Sequence, residues 1–139
     1  MLPTDESIPW TVRLEFGFDT GWGLPTPEQW EKACRSDDGR VFPWGKEAAS
    51  HAHSWFVRDA PLPAKLMGWP RDQDMSPYGV RAMGSNVSEW VAYASNEWCF
   101  AKGGAYPFSG TYADARRIFG SDQGRPTTWI GLRVVKVPR

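Results

Sequence analysis

The sequence is short of the residues that support several common functions. It has two cysteines, Cys34 and Cys99, in 139 residues. That is too few for a disulfide framework, so two small buried thiols in a reducing compartment are expected. It has two histidines, His51 and His53, so a multi-histidine metal cluster is not in prospect. No run of about 18 apolar residues occurs, and the N-terminus lacks a basic-then-apolar leader. Membrane insertion and secretion are therefore not expected, and the cytoplasm is the default location. Net charge is absent too, with 16 basic residues matched by 16 acidic ones. Zero net charge excludes a chain-wide electrostatic partner such as duplex DNA or an anionic membrane. The balance is uneven, however. Residues 101–139 carry 7 basic and 2 acidic side chains, which leaves a local anionic ligand open.

Aromatic and turn-forming residues are plentiful. There are 9 Trp, 14 Gly and 12 Pro, so long helices are disfavoured and the core must be built largely on flat rings. A single domain of this length buries roughly two thirds of its unfolded surface. The spacing predicts one clear helix over 27–36. Thr26 caps it, Pro27 suits its first position, Gln29 completes a capping box, and Trp30 and Cys34 share a face. Apolar residues alternate over 10–18, which alone reads as a half-buried strand. Residues 20–25 read as a turn-rich link and 40–82 as a long loop-rich stretch. Residues 86–94 read as a short strand or turn, and 99–106 as a strand interrupted by Gly103-Gly104. Residues 107–128 read as a polar, basic segment, and 129–137 as the last strand.

Six short blocks follow one another in the chain. They are Gly23-Leu24-Pro25-Thr26-Pro27-Glu28-Gln29-Trp30-Glu31, Phe42-Pro43-Trp44-Gly45, Tyr78-Gly79-Val80-Arg81-Ala82-Met83, Ser85-Asn86-Val87-Ser88-Glu89-Trp90, Lys102-Gly103-Gly104-Ala105-Tyr106 and Gly131-Leu132-Arg133-Val134-Val135. In this order and spacing they resemble the formylglycine-generating enzyme family, also called the sulfatase-modifying factor domain. The resemblance spans residues 9–136 and corresponds to the C-terminal half or more of the family domain. It implies an α+β, irregular C-type-lectin-like fold, loop-rich, with short antiparallel strands and one or two helices. It also implies that residues 1–139 form one truncated domain of this type. For 10–18 it implies a helix, against the local alternation, and that choice stays open.

The family enzyme oxidises a substrate cysteine with copper held by two cysteines, and soft thiolates suit Cu(I). By count from Gly103-Gly104 those positions fall at Phe108 and Ala113, neither a thiol. No copper and no catalytic residue are therefore expected. A related branch uses non-haem iron held by histidines of an additional N-terminal domain, whereas this chain offers only His51 and His53. The block around Asn86 and Glu89 matches a family calcium site, which supplies hard oxygen ligands. The resemblance thus leaves calcium open at those two residues, although Ser85 and Ser88 depart from the pattern. A second family calcium site is unmatched at Ala52-His53. Trp30, Trp44, Trp90 and Trp129 are expected in the core, with Trp98 or Trp129 as alternative exposed platforms.

The remaining segment matches the ligand face of this fold. Its candidate binding residues are Phe108, Ser109, Thr111, Tyr112, Asp114, Arg116, Arg117, Asp122, Arg125 and Trp129. A mixture of Tyr, Ser, Gly and Arg suits an adaptable contact surface. The leading expectation is a non-catalytic module binding a protein or small ligand, with a homodimer open and nucleic acid not expected. A narrower form is a variable protein of a diversity-generating retroelement, a group that often diversifies a segment just before a C-terminal G-x-R strand. The rivals are a copper-dependent oxidase with a displaced redox centre, dependent on Cys34 or Cys99, and a structural accessory domain of a larger protein.

Overall fold

A computed structural model describes residues 21–48, 73–94, 98–105, 110–122 and 129–136. The alternatives at 10–18 and the candidates Phe108, Ser109 and Arg125 lie outside them, as do His51 and His53.

Helix α1 spans Pro27–Arg35, as its capping signals dictate. The Thr26 hydroxyl accepts the Gln29 N–H at 3.2 Å, and the Gln29 side chain accepts the Thr26 N–H at 2.9 Å. Trp30 and Cys34 form its buried face. Ser36, at φ 58°, turns the chain out of the helix and returns its N–H to the Lys32 carbonyl.

Among the described residues there are six strands. They are β1 (Trp22–Gly23), β2 (Ser88–Ala94), β3 (Trp98–Lys102), β4 (Phe119–Asp122), β5 (Ile130–Leu132) and β6 (Val135–Lys136). Four form one sheet in the order β4-β3-β2-β5, and β1 pairs with β6 in a second. The β2–β3 and β3–β4 pairs are antiparallel, whereas β2–β5 is parallel, with Glu89 opposite Gly131. A 3-10 turn at Gly110–Ala113 precedes β4.

Three expectations need correction. The span 129–137 is two strands in different sheets, because Arg133 turns inward between them and breaks the ladder. Residues 22–23, read as part of a link, form a short strand opposite Val135 and Lys136. The polar segment 107–128 contains β4, which Trp98–Ala101 hold by pairing although Phe-Gly-Ser-Asp has little strand propensity of its own.

The core has two adjoining parts. Trp30, Cys34, Met83, Val91 and Ala115 form one, beneath α1. Trp90, Cys99 and Ala101 form the other, with Leu24 and Ile130 against them. Of the four tryptophans expected inside, Trp30 and Trp90 are buried, while Trp44 and Trp129 are half-buried. Both cysteines are free and buried, as expected. Close packing explains the glycine pair. A Cβ on Gly103, whose φ is +90°, would lie 2.7 Å from the Met83 carbonyl oxygen and 2.9 Å from the Trp30 ring. One on Gly104 would lie 2.2 Å from the Gly84 carbonyl oxygen.

Candidate functional site

The chemistry-bearing residues separate into a buried network and an exposed surface. The network centres on Glu89 of β2, a buried carboxylate, which needs hydrogen-bond donors. Trp30 of α1 donates its indole N–H to Oε2 at 2.7 Å. Arg133 donates to both oxygens, through Nε to Oε2 at 2.8 Å and Nη2 to Oε1 at 2.7 Å. This is the bidentate geometry in which a guanidinium matches a carboxylate best. Arg133 Nη2 also donates to the Arg81 carbonyl at 2.9 Å. Thus one carboxylate ties together four of the six sequence blocks. A fifth joins through Lys102, which is buried, lies 5.8 Å from the Trp30 ring centroid and pairs with Glu31 at 3.2 Å.

A second buried carboxylate, Asp74, organises the loop leading into β2. It accepts the Gly84 N–H at 3.1 Å and the Ser85 hydroxyl, while its own carbonyl accepts the Ala82 N–H at 3.0 Å. Burial outweighs these bonds and pushes its carboxyl up to about 6. Sequence reasoning passed over Asp74, since a lone Asp in a loop carries no motif. The clue available was Ser85 standing in a family glycine position.

The two residues of the expected calcium pair have different surroundings. Asn86, at φ 69°, has a buried Oδ1 with no hydrogen-bond donor among the described residues, which is the kind of atom a cation satisfies. Glu89 accepts two donors at Oε2, from Trp30 and Arg133, and one at Oε1, from Arg133, so Oε1 retains acceptor capacity. No cluster of three His, Cys, Asp or Glu occurs among the described residues. Burial raises the pKa of both Cys34 and Cys99, and the two lie in different parts of the core. Ala113, at a position where the family places a catalytic cysteine, is buried in the 3-10 turn.

The exposed surface lies at the β4 edge of the sheet. Asp114 accepts two backbone-proximal bonds from Arg116, one from its N–H and one from its Nε, both at 2.9 Å. Hydrogen bonding to Arg116 holds the Asp114 carboxyl below its ordinary value. Tyr112 stacks on Phe119 with ring centroids 5.6 Å apart, and the Arg117 guanidinium lies 5.2 Å from the Tyr112 centroid. Arg117, Tyr112 and Phe119 therefore form a cationic–aromatic ladder on one face. Ile118 and Trp98, 42% and 47% exposed, stand on the other. Trp98 lies over Gly120, whose absent side chain leaves 3.1 Å between a Cβ position and the indole. Of the predicted surface, Thr111, Tyr112, Asp114, Arg116 and Arg117 are brought together here. Asp122 ends β4, opposite Trp98, and Trp129 sits apart, where its carbonyl accepts the Ser88 N–H. Phe119 and Ile118 were missed, though both flank the predicted residues.

The hercynine oxygenase of Mycolicibacterium smegmatis is 33% identical over 104 residues, covering 70% of this chain and 24% of that protein. That of Mycobacterium tuberculosis is 28% identical over the same length and coverage of both. The chain thus spans about a quarter of the length of these curated relatives. Among solved structures, Treponema denticola variable protein 1 has a TM-score of 0.64 at 18% identity, covering 84% of this chain and 48% of that one. PvdO from Pseudomonas aeruginosa has a TM-score of 0.65 at 18% identity, with coverages of 89% and 57%. These structures share the fold that the six blocks imply. Residues 6–138 match the model of the sulfatase-modifying factor enzyme 1-like domain, and with the blocks converging on Glu89 as its scaffold, the chain belongs to that family.

Proposed function

We propose that the chain is a non-catalytic binding module whose contact surface runs from Phe108 to Trp129. The observation that carries this reading is the contrast between the two sets of residues. Polar side chains of the family blocks are engaged inward around Glu89, while Thr111, Arg116, Arg117, Ile118 and Trp98 face solvent. The ligand is a protein or small molecule rather than nucleic acid, since the chain as a whole carries no excess positive charge. In its narrower form the surface is diversified between individuals, as in a variable protein of a retroelement. Deep sequencing of the coding region across a population of the source organism tests this. Substitutions concentrated between Ala105 and Trp129, with Trp30, Glu89 and Arg133 constant, are expected. A uniform segment overturns diversification. Simultaneous replacement of Tyr112, Arg116 and Arg117 by alanine tests the surface itself. Recovery of the same partners, in the same amounts, by the wild type and this variant would sink it.

The hercynine oxygenases favour a second reading, in which the chain is one lobe of an oxygenase-type enzyme completed by residues beyond the matched quarter. That reading expects measurable heat on titration of hercynine into the chain. A flat titration removes it.

A further inference from the structure

The β4 strand is the outer strand of the four-stranded sheet, and no described residue pairs with its far edge. An exposed edge is a template for another strand unless something blunts it. Proline, a lysine row or a bulge would do so. Phe119–Asp122 contains no proline or lysine, and its register with β3 runs without a shift. The two faces flanking this edge differ in chemistry. One carries Arg117, Tyr112 and Phe119, where Arg117 is exposed and makes no ion pair among the described residues. The other carries Ile118, Gly120 and Trp98, an apolar stretch that ends at the register position of Asp122.

Resting on the binding-module reading above, we propose that the ligand is an extended protein segment that adds a strand to the outer edge of β4, which no described residue occupies, and that this segment alternates acidic and apolar residues. Strand addition draws affinity from main-chain hydrogen bonds and selectivity from alternate side chains. Side chains of an added strand fall alternately on the two faces. Those on the Arg117 face meet an exposed guanidinium that makes no ion pair among the described residues, so acidic groups are favoured there. Those on the Trp98 face meet an indole and the Ile118 side chain, so apolar groups are favoured there. The absence of a side chain at Gly120 lets such a group approach the indole closely.

The test uses two capped hexapeptides, one alternating valine and glutamate and one alternating valine and lysine, added to the isotopically labelled full chain. Amide resonances of Phe119–Asp122 and the Trp98 indole are followed. The glutamate peptide is expected to shift these resonances and to bind about tenfold more tightly than the lysine peptide, a difference of about 1.4 kcal/mol. Arg117→Glu, an exposed change that leaves the core intact, is expected to reverse the order. Equal binding of the two peptides, or shifts confined to residues outside 112–122 and Trp98, overturns the proposal. So does a concentration-dependent dimer that shifts Phe119–Asp122 without peptide, which would make a second copy the occupant. If neither peptide binds while the population still varies between Ala105 and Trp129, strand addition falls and the binding-module reading survives.

Discussion

Glu89 and Asp74 are both buried carboxylates, yet they are stabilised by opposite means. Glu89 is paired with the Arg133 guanidinium, and the pair links β2 to the segment between β5 and β6. Removing Arg133 leaves the buried carboxylate with the Trp30 indole as its side-chain donor among the described residues. For a fully buried pair this costs about 3–5 kcal/mol. Arg133 is 30% exposed, so a loss of about 2–3 kcal/mol is expected for Arg133→Ala, read as a lower urea midpoint. Asp74 has no cation in hydrogen-bond contact among the described residues, and its raised pKa states that the fold favours the neutral form. The unfolded value is 3.8 and the folded one about 6. The stabilising contribution of the protonated form is thus complete below about 4 and is lost as pH rises through about 6. Asp74→Asn keeps an acceptor for the Gly84 N–H and offers a donor to Ser85. It is expected to raise the melting temperature at pH 7.5 relative to wild type and to narrow the difference at pH 4.5. A variant less stable than wild type at both pH values would contradict this account.

At the scale of elements, the helix and the strands were not equally legible. Thr26, Pro27 and Gln29 encode the start of α1 locally, and so its expected span agrees with the observed Pro27–Arg35 almost residue for residue. Thr26→Ala removes the acceptor for the Gln29 N–H and is expected to cost about 1 kcal/mol of stability, measured by chemical unfolding. Strands depend on partners far away in sequence. Residues 129–137 keep one alternating pattern while the chain passes from one sheet to another, because alternation reports only which side is buried, not which strand is adjacent. The parallel pairing of β5 with β2 was invisible for the same reason. Gly103-Gly104 was readable as a close approach, but not what approaches. The structure shows Met83, Trp30 and Gly84 there. Gly104→Ala is therefore expected to destabilise by about 3 kcal/mol or more, since the contact it meets is backbone and cannot rotate away. The candidate surface was legible as composition. Its geometry was not, because the Tyr112–Phe119 stack and the Arg117 contact arise only once β3 has drawn β4 into the sheet.

Across the whole molecule, the family blocks and the exposed segment impose different tolerances to change. Trp30, Met83, Glu89 and Arg133 each touch several other blocks, so their effects on stability are coupled rather than additive. Thr111, Arg116, Arg117 and Ile118 are exposed, and the ion pair of Arg116 with Asp114 is local and solvent-screened. Surface changes of this kind usually fall within about 0.5 kcal/mol each. A domain built this way can vary its contact face without losing its core, a requirement for any binding surface that must accept new partners. Two displayed libraries compare the tolerances directly. One randomises Thr111, Arg116, Arg117 and Ile118, and the other randomises Trp30, Met83, Glu89 and Arg133. Resistance to protease is scored for each. Most members of the first library are expected to resist at the wild-type level, whereas almost none of the second should. Equal losses in the two libraries would mean that the exposed segment is part of the structural scaffold, and the separation of surface from core on which the binding reading rests would fail.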